Sequence, residues 1–143
     1  MRVIILKGRQ RSGKTTTLKK VMEKLDENAT TILAKSKNYD RWKQGKRAGD
    51  IWAIVKYNDK IIYISTVGDY PKLIEDAFKE ARSVCDINIH IFICAAHSEK
   101  QVETAFNRLG LAFNNVIICD KKDDENNKEA CNQADAENVF SKV

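Results

Sequence analysis

The chain has 143 residues, of which 43% are hydrophobic and 31% are charged, and this composition is typical of a globular protein with a buried core. We expect one domain that spans residues 1–143. No apolar run approaches the roughly 20 residues of a membrane-spanning helix. Only a four-residue apolar run precedes Lys7, which predicts neither a signal peptide nor a membrane anchor.

Charge and cysteine spacing narrow the possible classes further. Residues 1–60 carry 16 Lys and Arg against 6 Asp and Glu, whereas residues 61–143 carry 9 against 14. A basic half of this kind predicts an anionic ligand. The cysteines have no C-x-x-C spacing, which indicates free thiols, a cytoplasmic location and no structural zinc. They are Cys85, Cys94, Cys119 and Cys131, and the second and third end apolar runs, where a thiol is usually buried.

Apolar runs of strand length alternate along the chain with segments of helical periodicity. Asn58-Asp59 joins two apolar runs and predicts a hairpin over about residues 51–67, and Pro71 opens a helix with one apolar stripe. The expected elements, in chain order, are a strand (Val3–Lys7), a helix (Lys14–Leu25), a strand (Thr30–Ala34), a polar loop (Ser36–Asp50), the hairpin, the helix from Pro71, a strand (87–96), a helix (Glu99–Leu109), a strand (115–119), a polar linker (about 120–129) and a terminal helix (about 130–143).

This alternation predicts an α/β fold with a mostly parallel sheet and one β-hairpin. Sheets of this kind bind ligands at the carboxyl ends of their strands. Gly8, Asp69 and His97 all fall at such ends, so we expect a ligand site there.

The segment between the first strand and the first helix, GRQRSGKT (Gly8–Thr15), has the spacing G-x-x-x-x-G-K-[ST]. Gly8 and Gly13 allow the backbone to turn and to approach an anion closely, so that successive N–H groups point inward. The positive end of the following helix points to the same place. Lys14 can reach terminal phosphates and the Thr15 hydroxyl can ligate Mg²⁺. The candidate nucleotide-binding residues are Gly8, Arg11, Ser12, Gly13, Lys14, Thr15 and Thr16.

With a strand before it and a helix after it, this motif resembles that of the P-loop (Walker A) NTPase superfamily, and the chain is closest in character to its small nucleotide-kinase-like members. The resemblance implies a three-layer sandwich, ATP or another nucleoside triphosphate as ligand, and Mg²⁺. It also implies an acid that holds Mg²⁺ through water at the end of a neighbouring strand, and Asp69 is the best match. The implied catalytic residues are therefore Lys14 and Asp69, and the implied metal-site residues are Thr15 and Asp69.

Asp69 also has a structural interpretation, because it lies two residues before Pro71 and is placed to help a helix begin. Asp50 and Asp120 are competing acids. Tyr70 follows Asp69, so the Asp-Glu pair of motor-type ATPases is missing.

The polar loop Ser36–Asp50 follows the second strand, where small kinases that the chain resembles grip the phosphoryl acceptor. Arginine binds phosphate, and an aromatic face stacks on a base. The possible acceptor contacts are Arg41, Trp42 and Arg47, together with His97 at the ligand edge of the sheet. The alternative is a solvated loop whose tryptophan packs over the edge of the core.

The leading hypothesis is phosphoryl transfer from ATP to a small phosphorylated molecule or a nucleic acid, with no membrane partner. The alternatives are a nucleotide-dependent binding module or slow ATPase that acts on a protein or DNA partner, and a nucleotide-binding protein without turnover. A GTPase is disfavoured, because DKKD (Asp120–Asp123) has Asp where the guanine-reading motif N-K-x-D has Asn. We interpret Lys121–Glu129 as a solvated linker.

Overall fold

The computed structural model describes residues 1–28 and 31–143, and in chain order the elements alternate between strands and helices. They are β1 (Arg2–Lys7), α1 (Lys14–Glu27), β2 (Thr31–Lys35), α2 (Tyr39–Lys43), β3 (Trp52–Tyr57), β4 (Lys60–Ser65), α3 (Pro71–Val84), β5 (Ile91–Ala96), α4 (Glu99–Leu109), β6 (Val116–Asp120), a 3₁₀ turn (Glu125–Asn127) and α5 (Lys128–Ser141). The α/β class is confirmed. Thr30, with which the second strand was expected to begin, lies outside the described residues.

The strands form one mixed sheet in the order β2-β3-β4-β5-β1-β6. The strands β4, β5, β1 and β6 are parallel to one another, and β3 is antiparallel to both of its neighbours. Asn58 and Asp59 join β3 to β4 with φ of 49° and 61°, as a two-residue hairpin turn with both central residues left-handed requires. The mostly parallel sheet and the hairpin are therefore confirmed.

Helices pack on both faces of the sheet. Ile4 and Leu6 of β1 join a core with α1 and α5, whereas Val3 and Ile5 join a second core with α3 and α4. Alternate residues of a strand point to opposite faces, so a central strand that is covered on both sides is apolar throughout. This is why the run before the glycine loop shows no polar alternation.

Three segments differ from the expected elements. Residues 87–90 precede β5 instead of belonging to it, because Ile61 N donates to His90 Nδ1 at 2.9 Å and closes this segment onto β4. The polar loop contains α2, since Tyr39 is 3% exposed and packs into the core beside α1. α5 begins at Lys128, two residues before the expected terminal helix, after a 3₁₀ turn in the linker.

Two expectations from the sequence concern the cysteines and the helices. All four cysteines are free thiols, and burial raises the pKa of Cys94 to about 12. Cys94 and Cys119 are buried, as their positions in apolar runs predict. Within residues 1–28 and 31–143, no helix has both the length and the apolar character needed to cross a bilayer.

Candidate functional site

The loop between β1 and α1 has the backbone shape of an anion cradle. Arg11 and Gly13 have left-handed conformations, with φ of 63° and 96°, and Gly13 immediately precedes α1. Such residues turn successive backbone N–H groups toward the same side. Gly13 adopts this conformation freely, whereas a non-glycine residue such as Arg11 does so at a strain of about 1–3 kcal/mol. Strain of this kind is typical of a ligand-binding loop.

Lys14 lies inside this loop. It is 7% exposed, and its Nζ donates to the carbonyl oxygens of Gly8 and Arg9, both at 2.7 Å. Burial lowers the pKa of Lys14, and the negative charge of Asp69 acts in the opposite direction. An ammonium group has three donors, so two of them hold the loop in shape and the third is available to an anion.

Two buried hydroxyl groups, one after the loop and one within it, have different surroundings. Thr17 is buried and its Oγ1 donates to Gly13 O at 2.7 Å, so it serves the structure of α1. Ser12 is 3% exposed, and within the described residues its Oγ has no hydrogen-bond partner. A buried hydroxyl without a partner costs about 1–3 kcal/mol. Ser12 Oγ lies beside Gly8, where an added Cβ atom would be 2.8 Å away, and Ser12 does not line the cavity at the loop.

A cavity of about 410 Å³ adjoins the loop and is bounded by three walls. The glycine loop and the first turn of α1 form the first wall. Asp50, Thr66 and Asp69 line the second wall, at the edge of the sheet where β4 ends and β3 begins. Lys128 and Asn132, in the first turns of α5, line the third. Cations and carboxylates thus face each other across the cavity.

Asp69 faces the cavity and does not cap α3. Tyr70 is the residue that precedes α3, and no side-chain hydrogen bond caps this helix. The Asp69 side chain is 53% exposed, and its Oδ1 lies 3.4 Å from His97 Nε2. β5 separates β4 from β1, so Asp69 reaches the cavity from two strands away and not from the neighbouring strand that the resemblance implies.

Gly68 explains how Asp69 reaches the cavity. A Cβ atom at Gly68 would lie 1.8 Å from the carbonyl oxygen of Ala95, so only glycine lets the chain after β4 pass over the end of β5. Gln101 then fastens the two loops together. Its Nε2 donates to Asp69 O at 3.0 Å, and its Oε1 accepts from His97 N at 2.9 Å.

Asp50, one of the competing acids, lies on the same wall. Because β3 is antiparallel to β4, the start of β3 meets the end of β4 at one edge of the sheet. Thr66 Oγ1 donates to Asp50 Oδ1 at 2.9 Å and accepts from Ile51 N at 3.0 Å. Asp120, the other competitor, ends β6 and does not line the cavity. The second wall therefore carries two carboxylates, Asp50 and Asp69.

The third wall was not indicated by the sequence pattern. Lys128 Nζ lies 3.4 Å from Arg11 O, and a Cβ atom at Gly13 would lie 2.5 Å from Asn132 Oδ1. The second glycine of the motif is thus favoured by its own φ, and a larger residue there would also have to displace the Asn132 side chain. One signal was present in the sequence: Asn132 shares a helical face with the apolar residues Ala136 and Val139, and a polar residue there needs a partner.

Lys121 contradicts the interpretation of Lys121–Glu129 as a solvated linker. Its side chain is 1% exposed, and its Nζ lies 2.9 Å from Oδ2 of Asp135, which is 3% exposed. Asp135 Oδ2 also accepts from Lys122 N at 2.8 Å. Buried charges persist when they are paired and hydrogen-bonded, so this pair fixes α5 beside the glycine loop.

Asp123, the last residue of DKKD, is bound to the glycine loop. Arg9 Nη2 lies 2.6 Å from Asp123 Oδ2, and Arg9 Nε donates to the same oxygen at 2.7 Å. This hydrogen bond lowers the pKa of Asp123. The acid that a guanine-reading motif would supply is therefore engaged by the protein itself.

Three of the expected acceptor contacts lie outside the cavity. Arg41, Trp42 and Arg47 belong to the segment after the edge strand β2, and none of them lines the cavity. Trp42 packs against the core, and its ring meets that of Tyr39 edge-on at 5.2 Å, as the alternative interpretation of this residue predicts. His97 lies at the site through its contact with Asp69.

The residues present fit Mg²⁺ that is bound together with a nucleotide. Within residues 1–28 and 31–143, no group of three or more His, Cys, Asp or Glu side chains is arranged to hold a metal ion. Mg²⁺ in nucleotide sites keeps several waters and takes one or two carboxylates together with phosphate oxygens. Thr15, Asp50 and Asp69 can supply the protein's share of such a shell.

No family model, no curated protein and no solved structure gave a match to this chain. The class of site is therefore defined by its own geometry. A glycine loop at a strand–helix junction holds a buried lysine, and two carboxylates face it across a cavity.

Proposed function

We propose that this chain is a P-loop protein that binds Mg²⁺ and ATP at Gly8–Thr15 and transfers the terminal phosphoryl group. The observation that carries the proposal is the position of Lys14, which is buried within the loop, lines the cavity and keeps one donor for an anion. The left-handed backbone at Arg11 and Gly13 supports the same ligand chemistry.

Each wall of the cavity has a role in this proposal. The loop N–H groups and Lys14 would bind and orient the phosphates. The Thr15 hydroxyl and the Asp69 carboxylate would hold the metal, with Asp50 beside them on the second wall. When bound, Mg²⁺ neutralises charge on the phosphate oxygens, and phosphoryl transfer depends mostly on such neutralisation and on positioning. Lys128 adds a second cation from the side of α5.

In the transfer step the bond between the γ-phosphorus and the bridging oxygen of ATP breaks. A bond forms from the acceptor oxygen to the same phosphorus, and the acceptor proton passes to a carboxylate of the second wall. Asp50 is suited to receive this proton, because Thr66 holds one carboxylate oxygen at 2.9 Å and leaves the other available. ATP is favoured over GTP, because Arg9 occupies Asp123.

A slow ATPase that acts as a nucleotide-dependent binding module is the second candidate. The observation that favours it is the position of the segment with Arg41 and Arg47, which lies away from the cavity instead of gripping an acceptor there. In this case water is the acceptor at the second wall, and the chemistry of the site is otherwise the same.

Replacing Asp69 with Asn tests its role in the metal site. We expect affinity for ATP in the presence of Mg²⁺ to fall about 10- to 100-fold, the usual cost of removing a group that orients a metal-binding shell. Affinity in EDTA should change little. Titration calorimetry under both conditions checks this, with Asp120→Asn as the matched control. Equal losses with and without Mg²⁺ would show that Asp69 has no part in metal binding.

Replacing Lys128 with Ala tests the third wall. The Lys128 side chain is exposed to solvent at the cavity edge, so we expect a loss in ATP affinity of about two- to fivefold, in keeping with an exposed charge contact. Lys122→Ala removes the same charge from the same segment without touching the cavity and should leave the affinity unchanged. Indistinguishable affinities for the two variants would remove Lys128 from the site.

A further inference from the structure

The segment after β2 carries a compact group of exposed cations. Gly45, with φ of 77°, ends α2 in a tight turn. This turn brings Lys46 N to 2.9 Å from Arg41 O and Arg41 Nε to 3.4 Å from Arg47 O. Arg41, Lys46 and Arg47 are all exposed. We call these three residues the basic surface.

The basic surface has no carboxylate partners within the described part of the chain. Two neighbouring lysines do have partners, since Lys35 pairs with Asp40 and Lys43 pairs with Asp26, each at 2.8 Å. The chain therefore neutralises Lys35 and Lys43 and leaves the basic surface uncompensated. Like charges held together repel each other, and an anionic partner removes this cost.

The basic surface lies apart from the nucleotide cavity. Lys43 is anchored to Asp26, which follows Lys14 by twelve residues on α1, a distance of about 18 Å along the helix. None of the three residues of the basic surface lines the cavity, although Asp50 of its second wall follows Arg47 by three residues. A nucleotide held at the glycine loop therefore does not account for these charges.

The aromatic residues nearby are not available for base stacking. Tyr39 is 3% exposed, and Trp42 packs on the core with Lys43 Nζ 5.4 Å from its ring centroid. Proteins that bind single-stranded nucleic acid combine cations with exposed aromatic platforms. The hot spots of protein interfaces are Trp, Tyr and Arg side chains in well-packed, desolvated pockets, whereas Arg41 and Arg47 are exposed and residues 44–47 have no apolar side chain to build such a pocket.

We infer that the basic surface binds duplex nucleic acid through its phosphate backbone. A duplex presents one negative charge for every 1.7 Å or so of its axis, which suits a compact group of cations without base-reading residues. Contacts of this kind carry little sequence specificity. This activity goes beyond the nucleotide site and does not require it.

The test is fluorescence anisotropy with a labelled duplex of about 20 base pairs, without nucleotide, over a range of salt concentrations. For the parent protein, the logarithm of the association constant plotted against the logarithm of the salt concentration should have a slope of about −3. The triple variant Arg41→Ala, Lys46→Ala, Arg47→Ala should lose at least about tenfold in affinity at low salt, with a slope shallower by about two to three.

Two controls separate this surface from net charge and from the nucleotide site. The triple variant Lys56→Ala, Lys60→Ala, Lys100→Ala removes the same charge from scattered exposed positions, and it should stay within about threefold of the parent, as expected for sites outside the contact. Lys14→Ala should bind the duplex like the parent. Undetectable duplex binding, equal losses in the two triple variants, or tighter binding of single-stranded DNA or poly-glutamate than of the duplex would each overturn the inference.

Discussion

Replacing Lys14 with Ala should lower the affinity for ATP about 10- to 150-fold, because it removes a charge-assisted hydrogen bond to phosphate worth about 1.5–3 kcal/mol. The fold should persist, since the variant loses only the bonds from Nζ to the carbonyl oxygens of Gly8 and Arg9. Titration calorimetry with Mg²⁺ and ATP measures the affinity, and circular dichroism monitors the fold.

Lys19→Ala is the matched control for Lys14→Ala. Lys19 lies on the same helix, carries the same charge and does not line the cavity. It should bind ATP within about twofold of the parent, as an uninvolved surface charge does. A Lys14→Ala variant that is folded and binds ATP as tightly as the Lys19→Ala variant would contradict the phosphate-loop proposal.

Replacing Asp135 with Ala should lower the free energy of unfolding by about 3–5 kcal/mol, because it leaves the Lys121 ammonium group buried without its partner. The Lys121 and Asp135 side chains are 1% and 3% exposed, and no other buried ion pair in the described residues joins the segment after β6 to α5. The same change should loosen α5 from the glycine loop and so weaken ATP binding. Urea denaturation measures the unfolding free energy.

The double variant Lys121→Met, Asp135→Leu provides the control for this pair. It replaces both charges with apolar groups of similar size, and such replacements are often neutral or stabilising. We expect it to recover most of the stability that Asp135→Ala loses. If Asp135→Ala lowers the free energy of unfolding by less than about 1 kcal/mol, the pair is effectively solvated, since exposed ion pairs contribute no more than this.

Local patterns predicted the parts of the fold that depend on local physics. The hairpin followed from Asn58-Asp59, because both residues tolerate positive φ. The loop between β1 and α1 followed from its two glycines, because glycine adopts the positive φ that Gly13 has. Its role as a phosphate loop stays a prediction. The α/β class followed from the alternation of strand and helix periods.

Features that depend on distant contacts could not be predicted in this way. The placement of β5 between β1 and β4 depends on strand pairing, and no local sequence pattern predicts it. The contact between Thr17 and Asn132 joins residues 115 positions apart. Lys121 lies within a run of charged residues, so its burial depends on Asp135 in the helix that follows.

The position of the basic segment could not be predicted from the sequence either. Its cations and aromatic residues fitted an acceptor site, but Tyr39 is drawn into the core beside α1 and Lys43 is paired with Asp26. Because Tyr39 packs into the core, Arg41, Trp42 and Arg47 do not line the cavity. The glycine loop and the basic surface are therefore two separate features in place of one composite site.

A crystal structure with Mg²⁺ and a non-hydrolysable ATP analogue tests the central claim most directly. We expect the triphosphate in the loop Gly8–Thr15, with Lys14 Nζ within hydrogen-bond distance of its β- and γ-phosphate oxygens and the Thr15 hydroxyl on the metal. Asp69 should face the metal through water. An analogue bound elsewhere, with Lys14 still directed only to the carbonyl oxygens of Gly8 and Arg9, would contradict the claim.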